Sequence, residues 1–211
     1  MNQRLSDPDL PHSATKLEER AQRKAAKRES KKAEIAVSTL DALKRLGYAN
    51  TTMRDIAEHS GMSLGSLTYY FTDKVELITY CVRLYKAEFI GRIESAVSGY
   101  TAPNRILDSL AAELARSITD DLSTHRLWYD IRSQAMFDPT FRPVVAEIED
   151  KLNRTLGVAL RAASSQGGLA PSLGYAMIDG VFRQLMQNTA EEPLDQAELT
   201  ARFRQALERL V

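Results

Sequence analysis

The chain has 211 residues, of which 44% are hydrophobic and 27% are charged. These values are ordinary for a globular protein, and they exclude a wholly disordered chain, a collagen-like repeat and a disulfide-rich mini-protein. No run of about eighteen apolar residues is present, and the N-terminus lacks the apolar stretch of a secretory signal. The single cysteine, Cys81, cannot form an internal disulfide. We therefore expect a cytoplasmic protein with no membrane span.

The charge of the chain is balanced in total but uneven along the sequence. Lys and Arg number 28, as do Asp and Glu, yet residues 1–90 hold 15 basic and 12 acidic residues. Between Arg20 and Lys32 seven basic residues accompany one acidic residue, Glu29. A basic segment ahead of a neutral body is typical of a protein that meets a polyanion at one end. A solvated helix face is the alternative, and composition does not decide between them.

The N-terminal quarter of the sequence predicts a helix that acquires an apolar face only part of the way along. Residues 1–12 contain two prolines among polar residues and predict a disordered lead-in. Residues 13–32 are rich in helix formers but have almost no apolar stripe, which predicts a solvated helical extension. Apolar residues recur at helical spacing from Ala33, and Gly47 is a C-cap candidate. The first packed helix is therefore predicted between these two residues.

Two short helices are predicted next. Thr52 is an N-cap candidate for a two-turn helix, and Gly61 can take the left-handed conformation that ends it. Ser63 can cap a second short helix over 64–70, in which only Leu67 needs to face inward. Two short helices joined by a glycine turn form a helix-turn-helix. The second helix is small and polar on its outer side, which suits a DNA major groove about 12 Å wide.

The rest of the chain is predicted to be helical as well. Asp73 begins a helix that runs to about Ser98 and is apolar around more than half its circumference, which is typical of a helix that joins two units. Further helices are predicted over 103–121, 124–137, 139–165, 171–189 and 195–210. No alternating strand pattern occurs. The fold class predicted is all-α, with about nine helices.

Sixteen positions within about residues 31–80 form one pattern. They are Leu46-Gly47-Tyr48, Thr51-Thr52, Ile56-Ala57, Ser60-Gly61-Met62-Ser63, Gly65, Leu67, Tyr70-Phe71 and Lys74. In these positions the chain resembles the TetR family of transcriptional repressors. Thr68 departs from the pattern, because many members have a Tyr there that touches a DNA phosphate. A small hydroxyl residue at this place is similar to the choline-responsive BetI-like branch.

The resemblance implies an organisation and a function. It implies an N-terminal extension over 1–30, a DNA-binding domain over 31–80 with its motif at 52–71, and a ligand-sensing and dimerisation domain over 81–211. The expected function is that of a homodimeric repressor, which a small molecule releases from a palindromic operator. The expected partners are double-stranded DNA, a second copy of the chain and an unknown small-molecule effector, with no cofactor and no membrane.

The predicted DNA-binding residues combine outward positions of the second short helix with positions that the resemblance implies. Lys74 is similar to the family lysine that pairs with a phosphate. With Thr68 in place of Tyr, the neighbouring phosphate contact falls to Tyr69 or Tyr70. The full set is Thr52, Arg54, Ser63, Leu64, Gly65, Ser66, Thr68, Tyr69, Tyr70, Lys74, Lys31 and Lys32.

The resemblance also implies a pocket between the middle helices and a dimer surface on the last two. The predicted pocket residues are Tyr85, Phe89, Leu110, Leu114, His125, Trp128, Tyr129, Arg132, Met136 and Phe182. The predicted dimer residues are Leu173, Ala176, Met177, Gly180, Leu185, Phe203, Leu207 and Leu210. Core packing within one protomer is the alternative for these side chains. The BetI-like resemblance adds a quaternary ammonium, caged by Trp128 and Tyr129, as one candidate ligand.

An enzyme is not predicted. His12, His59 and His125 lie in three separate segments, and the sequence has no zinc-ligand spacing, phosphate-binding loop, dinucleotide fingerprint or nucleophile elbow. Neither catalytic nor metal-binding residues are therefore assigned. The alternatives are an all-α scaffolding protein whose helix-turn-helix is structural, and a regulator that has no small-molecule ligand.

Overall fold

The computed structural model describes residues 10–164 and 169–211, which form eight α-helices and one short 3-10 helix. The α-helices are α1 Leu10–Leu46, α2 Met53–His59, α3 Leu64–Tyr70, α4 Lys74–Val97, α5 Pro103–Gln134, α6 Arg142–Ala163, α7 Pro171–Glu191 and α8 Gln196–Glu208. The 3-10 helix is Pro139–Phe141. No strand occurs in the two described ranges, and the predicted all-α class is confirmed. None of the helices described is long and apolar enough to cross a membrane.

α1 is longer than the packed helix predicted from Ala33. It is continuous from Leu10, so it includes residues 10–12, which were predicted to be disordered; residues 1–9 lie outside the described residues. Side chains from Glu18 to Glu29 that the structure describes are exposed, and burial begins near Ile35. The extension is therefore helical and largely exposed, with its first contacts to α3 and α4 made near its end, by Arg28 and Glu29.

α5 replaces two predicted helices, 103–121 and 124–137. The backbone leaves helical geometry only at Asp121, where φ is −124° and ψ is 22°, and the helix resumes on the far side. Both parts bury apolar residues, Ile118 before the kink and Leu127 after it. The polar stretch that predicted a break therefore produces a change of helix direction instead, and the helix count falls from nine to eight in the described ranges.

Two hydrophobic cores share α4. The first core consists of Ile35, Ala36, Ile56, Ala57, Leu67, Phe71, Leu77 and Cys81. The second core is larger and is built mainly from side chains of α4 to α8, with Leu43 of α1 and Phe141 of the 3-10 helix. From α4, Leu77 and Cys81 belong to the first core, whereas Ile78 and Val82 belong to the second. This agrees with the prediction that the apolar α4 joins two units.

The second core corrects half of the predicted dimer surface. Leu185, Phe203, Leu207 and Leu210 are buried inside one protomer, where α8 packs along α5. The four other predicted residues, Leu173, Ala176, Met177 and Gly180, are exposed along one side of α7. The sequence pattern showed that both helices have an apolar face but did not show which face the rest of the chain covers.

Candidate nucleic-acid interface and internal cavity

Local hydrogen bonds fix the start of each helix of the helix-turn-helix. The Thr52 hydroxyl accepts from the backbone of Asp55 and donates to its carboxylate, which also accepts from the backbone N–H of Thr52. Gly61 follows α2 with φ of +63°, a conformation that favours glycine. The Ser63 hydroxyl then accepts from the backbone of Ser66 and starts α3. The predicted caps of both helices are therefore confirmed.

α3 presents nearly all of its surface outward. Leu67 is its one fully buried residue and anchors it in the first core. The exposed residues are Ser63, Leu64, Gly65, Ser66, Thr68 and Tyr69. The hydroxyls of Ser63 and Ser66 lie 2.8 Å apart, and Thr68 donates to the carbonyl of Gly65. Each hydroxyl keeps at least one donor or acceptor position for a base edge.

The two tyrosines that end α3 differ in their surroundings. Tyr69 is 65% exposed and meets the ring of Tyr70 edge to face, at a centroid distance of 5.1 Å. Tyr70 is half-buried and packs against the first core. The guanidinium of Arg28 lies 5.8 Å from the Tyr69 ring, so the basic part of α1 runs beside the end of α3. Of the two, Tyr69 is the more accessible to a phosphate.

Other predicted DNA-binding residues also make contacts inside the chain. Lys32 lies over the rings of Phe71 and Tyr80 and pairs with Glu76 at 3.2 Å, with its side chain 14% exposed. Its charge is already paired, so its assignment as a DNA contact stays a prediction that requires release from Glu76. Lys31 also forms an ion pair, with Glu34, but both side chains of that pair are exposed, so Lys31 is accessible to DNA. The hydroxyl of Thr52 is engaged in the capping box, although the residue is exposed.

Lys74, at the start of α4, is held by the loop after α1. Its ammonium donates to the backbone carbonyl of Tyr48 at 2.6 Å and lies 4.2 Å from the centre of the Tyr48 ring. Partial burial lowers the pKa of Lys74, and the charge of Asp55 opposes that shift. The ammonium can donate two further hydrogen bonds. It is fixed at the N-terminus of a long helix, where an anion is favoured.

A row of basic side chains continues from this surface along α1. Arg20, Lys24, Lys27 and Lys31 follow one another at intervals of three or four residues, so they share one face of the helix. We call these four residues the basic stripe. Over its length α1 rises by about 16 Å, roughly half a turn of DNA. Arg54, on α2, is also exposed.

A cavity of about 50 Å³ lies among α4, α5, α6 and α7. Its lining includes six of the ten residues predicted for a pocket, namely Phe89, Leu114, His125, Trp128, Tyr129 and Phe182. Tyr85 and Leu110 are buried nearby but do not line it. Arg132 does not line the cavity, but it pairs with Asp179, which does. Met136 is 73% exposed and was wrong as a wall residue, because it follows the end of α5.

The prediction missed seven residues that line the cavity, Lys86, Ile93, Leu152, Leu156, Tyr175, Ile178 and Asp179. A signal for one of them was present in the sequence. Lys86 falls four residues after Val82 and three before Phe89, on the apolar face of α4. A lysine in the middle of an apolar helix stripe is unusual enough to indicate a functional position.

The cavity has an unusual electrostatic environment. Burial lowers the pKa of Lys86 to about 7, and the nearby carboxylate of Asp179 opposes that shift. Burial, together with the charges of Lys86 and Arg92, lowers the pKa of His125 well below its usual value. Asp179 accepts a hydrogen bond from the Tyr129 hydroxyl at 2.9 Å. No cluster of His, Cys, Asp and Glu suited to a metal ion occurs in the described parts of the chain.

Comparisons with known proteins agree with this geometry. The sequence profile of the tetR family of bacterial regulatory proteins matches residues 35–81. Over 180 residues the chain is 26% identical to the HTH-type transcriptional regulator BetI of Burkholderia mallei strain NCTC 10229, covering 82% of this chain and 89% of the relative.

Solved structures extend the likeness to the whole fold. A TetR transcription regulator from Haloarcula marismortui ATCC 43049 matches with a TM-score of 0.71 at 19% identity, covering 86% of this chain and 97% of that one. The transcriptional regulator FadR of Bacillus subtilis, in complex with stearoyl-CoA, matches with a TM-score of 0.67 at 17% identity, covering 83% and 96%. The family profile matches the helix-turn-helix, and the relatives match along most of the chain. Residues 35–81 therefore form a helix-turn-helix of the TetR family of bacterial regulatory proteins, and the chain is similar to transcriptional regulators along most of its length.

Proposed function

We propose that this regulator is a homodimeric repressor, which a small molecule in the internal cavity releases from a two-fold symmetric operator. The observation that carries the proposal is the double role of α4. This helix begins at Lys74 beside the recognition surface, and about 18 Å further on it lines the cavity with Lys86 and Phe89. A ligand that displaces α4 at the cavity would also move its other end.

The release mechanism is a shift between two conformations. A ligand favours the conformation that binds it better, and the shift is limited by its differential affinity for the two. Two recognition helices must lie about 34–36 Å apart to enter successive major grooves. A ligand-bound state with a different spacing therefore loses the operator.

On the DNA side, we assign sequence recognition to the exposed face of α3 and phosphate contacts to Tyr69, Lys74 and the basic stripe. Contacts to base edges give sequence preference, whereas phosphate contacts give affinity and register. The DNA-binding unit would comprise residues 31–80, and the sensing and dimerisation unit residues 81–211. The chain would act in the cytoplasm, without an enzymatic activity of its own.

The dimer surface proposed here is the exposed side of α7. Leu173 and Met177 are 49% and 45% exposed, and the neighbouring Ala176 and Gly180 are small. Large apolar side chains beside small ones allow two helices to approach closely and bury apolar area. A two-fold interface would place this stripe against its own copy.

The cavity supports sensing of a compact molecule. Stearoyl-CoA in the related FadR is far larger than a volume of about 50 Å³, so a ligand of that size would need the helices to separate. The opposing candidate, a regulator that has no small-molecule ligand, predicts that no compound changes DNA binding.

The test is fluorescence anisotropy of the purified protein on labelled DNA tiles that flank its own gene, titrated with salt. We expect saturable binding to one near-palindromic tile, with an affinity that falls steeply as salt rises. Uniform weak binding to every tile, here and across the remaining genome, would contradict the proposal.

A further inference from the structure

Lys86 carries a buried charge that has no carboxylate partner. Its residue is 2% exposed, and within the described ranges it makes no salt bridge and no side-chain hydrogen bond. Its ammonium lies 4.9 Å from the ring centres of both Phe89 and Trp128, and 5.4 Å from that of Tyr85. Buried lysines are ordinarily paired, because an isolated charge in an apolar interior is costly.

The acidic group nearest in the cavity wall is already engaged. Asp179 accepts from the Tyr129 hydroxyl and pairs with Arg132, which also pairs with Glu149 of α6. This network links α5, α6 and α7, and it holds both carboxylates on Arg132 rather than on Lys86. The ammonium therefore has bonding capacity for a group that the protein does not supply.

A second unpartnered polar group lines the same cavity. His125 is fully buried, and neither of its ring nitrogens has a hydrogen-bond partner. Aromatic rings surround it, with the centres of Phe182 and Phe89 at 4.7 and 4.9 Å. Buried polar atoms are normally satisfied, so two unmatched groups on one cavity indicate a ligand that matches them.

We propose that the cavity binds a compact organic anion, whose carboxylate pairs with Lys86 and accepts a hydrogen bond from His125, while its apolar body packs among the aromatic rings. This inference rests on the proposed role of the cavity as the effector site. It also argues against the quaternary ammonium that the BetI-like likeness suggested. The Lys86 ammonium already lies 4.9 Å from the ring centre of Trp128, and when protonated it would repel a second cation there.

The charge balance predicts how anion binding depends on pH. The titratable and charged groups around Lys86 come from three helices: Tyr85 on α4, His125, Tyr129 and Arg132 on α5, and Tyr175 and Asp179 on α7. α6 lines the cavity with apolar side chains, and its Glu149 pairs with Arg132. Burial raises the tyrosine pKa values, and His125 stays neutral. Lys86, with its pKa of about 7, is therefore the group that titrates near neutral pH. An anion needs its protonated form.

Trp128 provides a direct readout, since it is the single tryptophan of the chain and lines the cavity. Tryptophan fluorescence would be titrated with benzoate, benzyl alcohol and benzyltrimethylammonium, which share a ring and differ in charge. A benzene ring fills a cavity of about 150 Å³, so each of the three compounds requires this cavity of about 50 Å³ to widen. We expect benzoate to bind at least tenfold more tightly than either of the others at about pH 6. Its affinity should fall about thirtyfold by about pH 8.5, as Lys86 loses its proton.

A matched pair of lysine variants locates the effect. Lys86→Met removes the ammonium but keeps an unbranched side chain only one atom shorter, and it should abolish both the preference for benzoate and its pH dependence. Lys151→Met removes an exposed lysine of α6 that pairs with Glu147, and it should bind benzoate like the parent. Circular dichroism checks that both variants fold. If Lys86→Met does not fold, the inference is tested by the affinities of the three compounds for the parent protein and by how the benzoate affinity depends on pH.

Several outcomes overturn the inference. They are equal binding of benzoate and benzyl alcohol, tighter binding of the cation, a preference that survives in Lys86→Met, and no benzoate binding at about 10 mM. Fluorescence anisotropy of labelled operator DNA, measured with the same compounds, separates a failure of this inference from a failure of the proposed function. Benzoate that binds at Trp128 without releasing DNA would refute the effector role alone. Release of the protein from DNA by the neutral or cationic compound, and not by benzoate, would refute only the claim that the ligand is an anion.

Discussion

Lys86 stands where an apolar side chain would stabilise the fold. Its pKa is about 7 in the folded chain and about 10.4 when unfolded, so between these values the unfolded state holds a proton that the folded state lacks. Stability must therefore rise with pH from about 7 to about 10, whereas below pH 7 the cost of the buried charge is fully present. The preceding inference gives this cost a function, because a charge left unpaired in the free protein is available to a ligand.

The substitution Lys86→Met should accordingly stabilise the protein. We expect its free energy of unfolding at about pH 6 to exceed that of the parent by on the order of 3 kcal/mol, and its rise between about pH 7 and 9 to disappear. Urea denaturation followed by circular dichroism at several pH values measures both effects. Lys151→Met, on the surface, should stay within about 0.5 kcal/mol of the parent. A variant less stable than the parent at every pH would contradict the argument.

Residues of the recognition surface should separate into two classes by their effect on DNA binding. Lys74→Ala removes a positioned ammonium and should weaken binding to all sequences alike, by about tenfold. Thr68→Ala removes an exposed hydroxyl of α3 and should act unevenly across operator variants. Anisotropy on a set of single-base operator changes measures the distinction. Equal losses on every sequence from Thr68→Ala would exclude base recognition by this residue.

At the scale of elements, one arginine holds the bend of α5 against α4. Arg92 of α4 contacts Glu113 at 3.1 Å before the kink and Asp121 at 2.7 Å at the kink itself. The side chain of Glu113 is 6% exposed, so without Arg92 its charge would keep only the exposed partner Arg116. Removing one partner of a buried pair is far more costly than removing both.

We therefore expect Arg92→Met to lower the free energy of unfolding by about 2–4 kcal/mol. Arg154→Met serves as the control, because Arg154 pairs with Asp150 on an exposed face of α6, and its loss should cost less than about 0.5 kcal/mol. Thermal and urea unfolding of the two variants measure the difference. Similar stabilities would show that the Arg92 contacts do not fix the bend.

The elements also show what the sequence could and could not predict. The caps at Thr52, Ser63 and Asp73 were predictable, because a capping bond joins residues three positions apart. The continuity of α5 was not, since it depends on how distant helices cover Ile118 and Leu127. For the same reason the burial of Phe203 and the exposure of Met136 escaped prediction. Periodicity identifies an apolar face, whereas only the tertiary arrangement shows what covers it.

For the whole molecule, the exposed stripe of α7 predicts the oligomeric state. Met177→Arg places a charge in the middle of the proposed interface and should shift the protein toward a monomer. Operator affinity should fall at least tenfold, because each protomer alone contacts one half-site. Phe137→Arg is the control, as Phe137 is 82% exposed on the turn after α5. Sedimentation velocity measures the mass, and an unchanged dimer would exclude this face.

The basic stripe predicts the salt dependence of the complete assembly. Replacing Arg20, Lys24 and Lys27 by alanine keeps α1 helical, since alanine is a strong helix former, but removes three charges from each protomer. Each phosphate contact contributes about 0.9 to the slope of log affinity against log salt, so the slope should become shallower by up to about 5 for a dimer. The preference for the operator over a mutated site should persist, because phosphate contacts read no sequence. The variant Lys151→Ala, Arg154→Ala removes charges from α6 and should leave the slope unchanged. An unaltered slope in the triple variant would mean that α1 extends past the DNA without touching it.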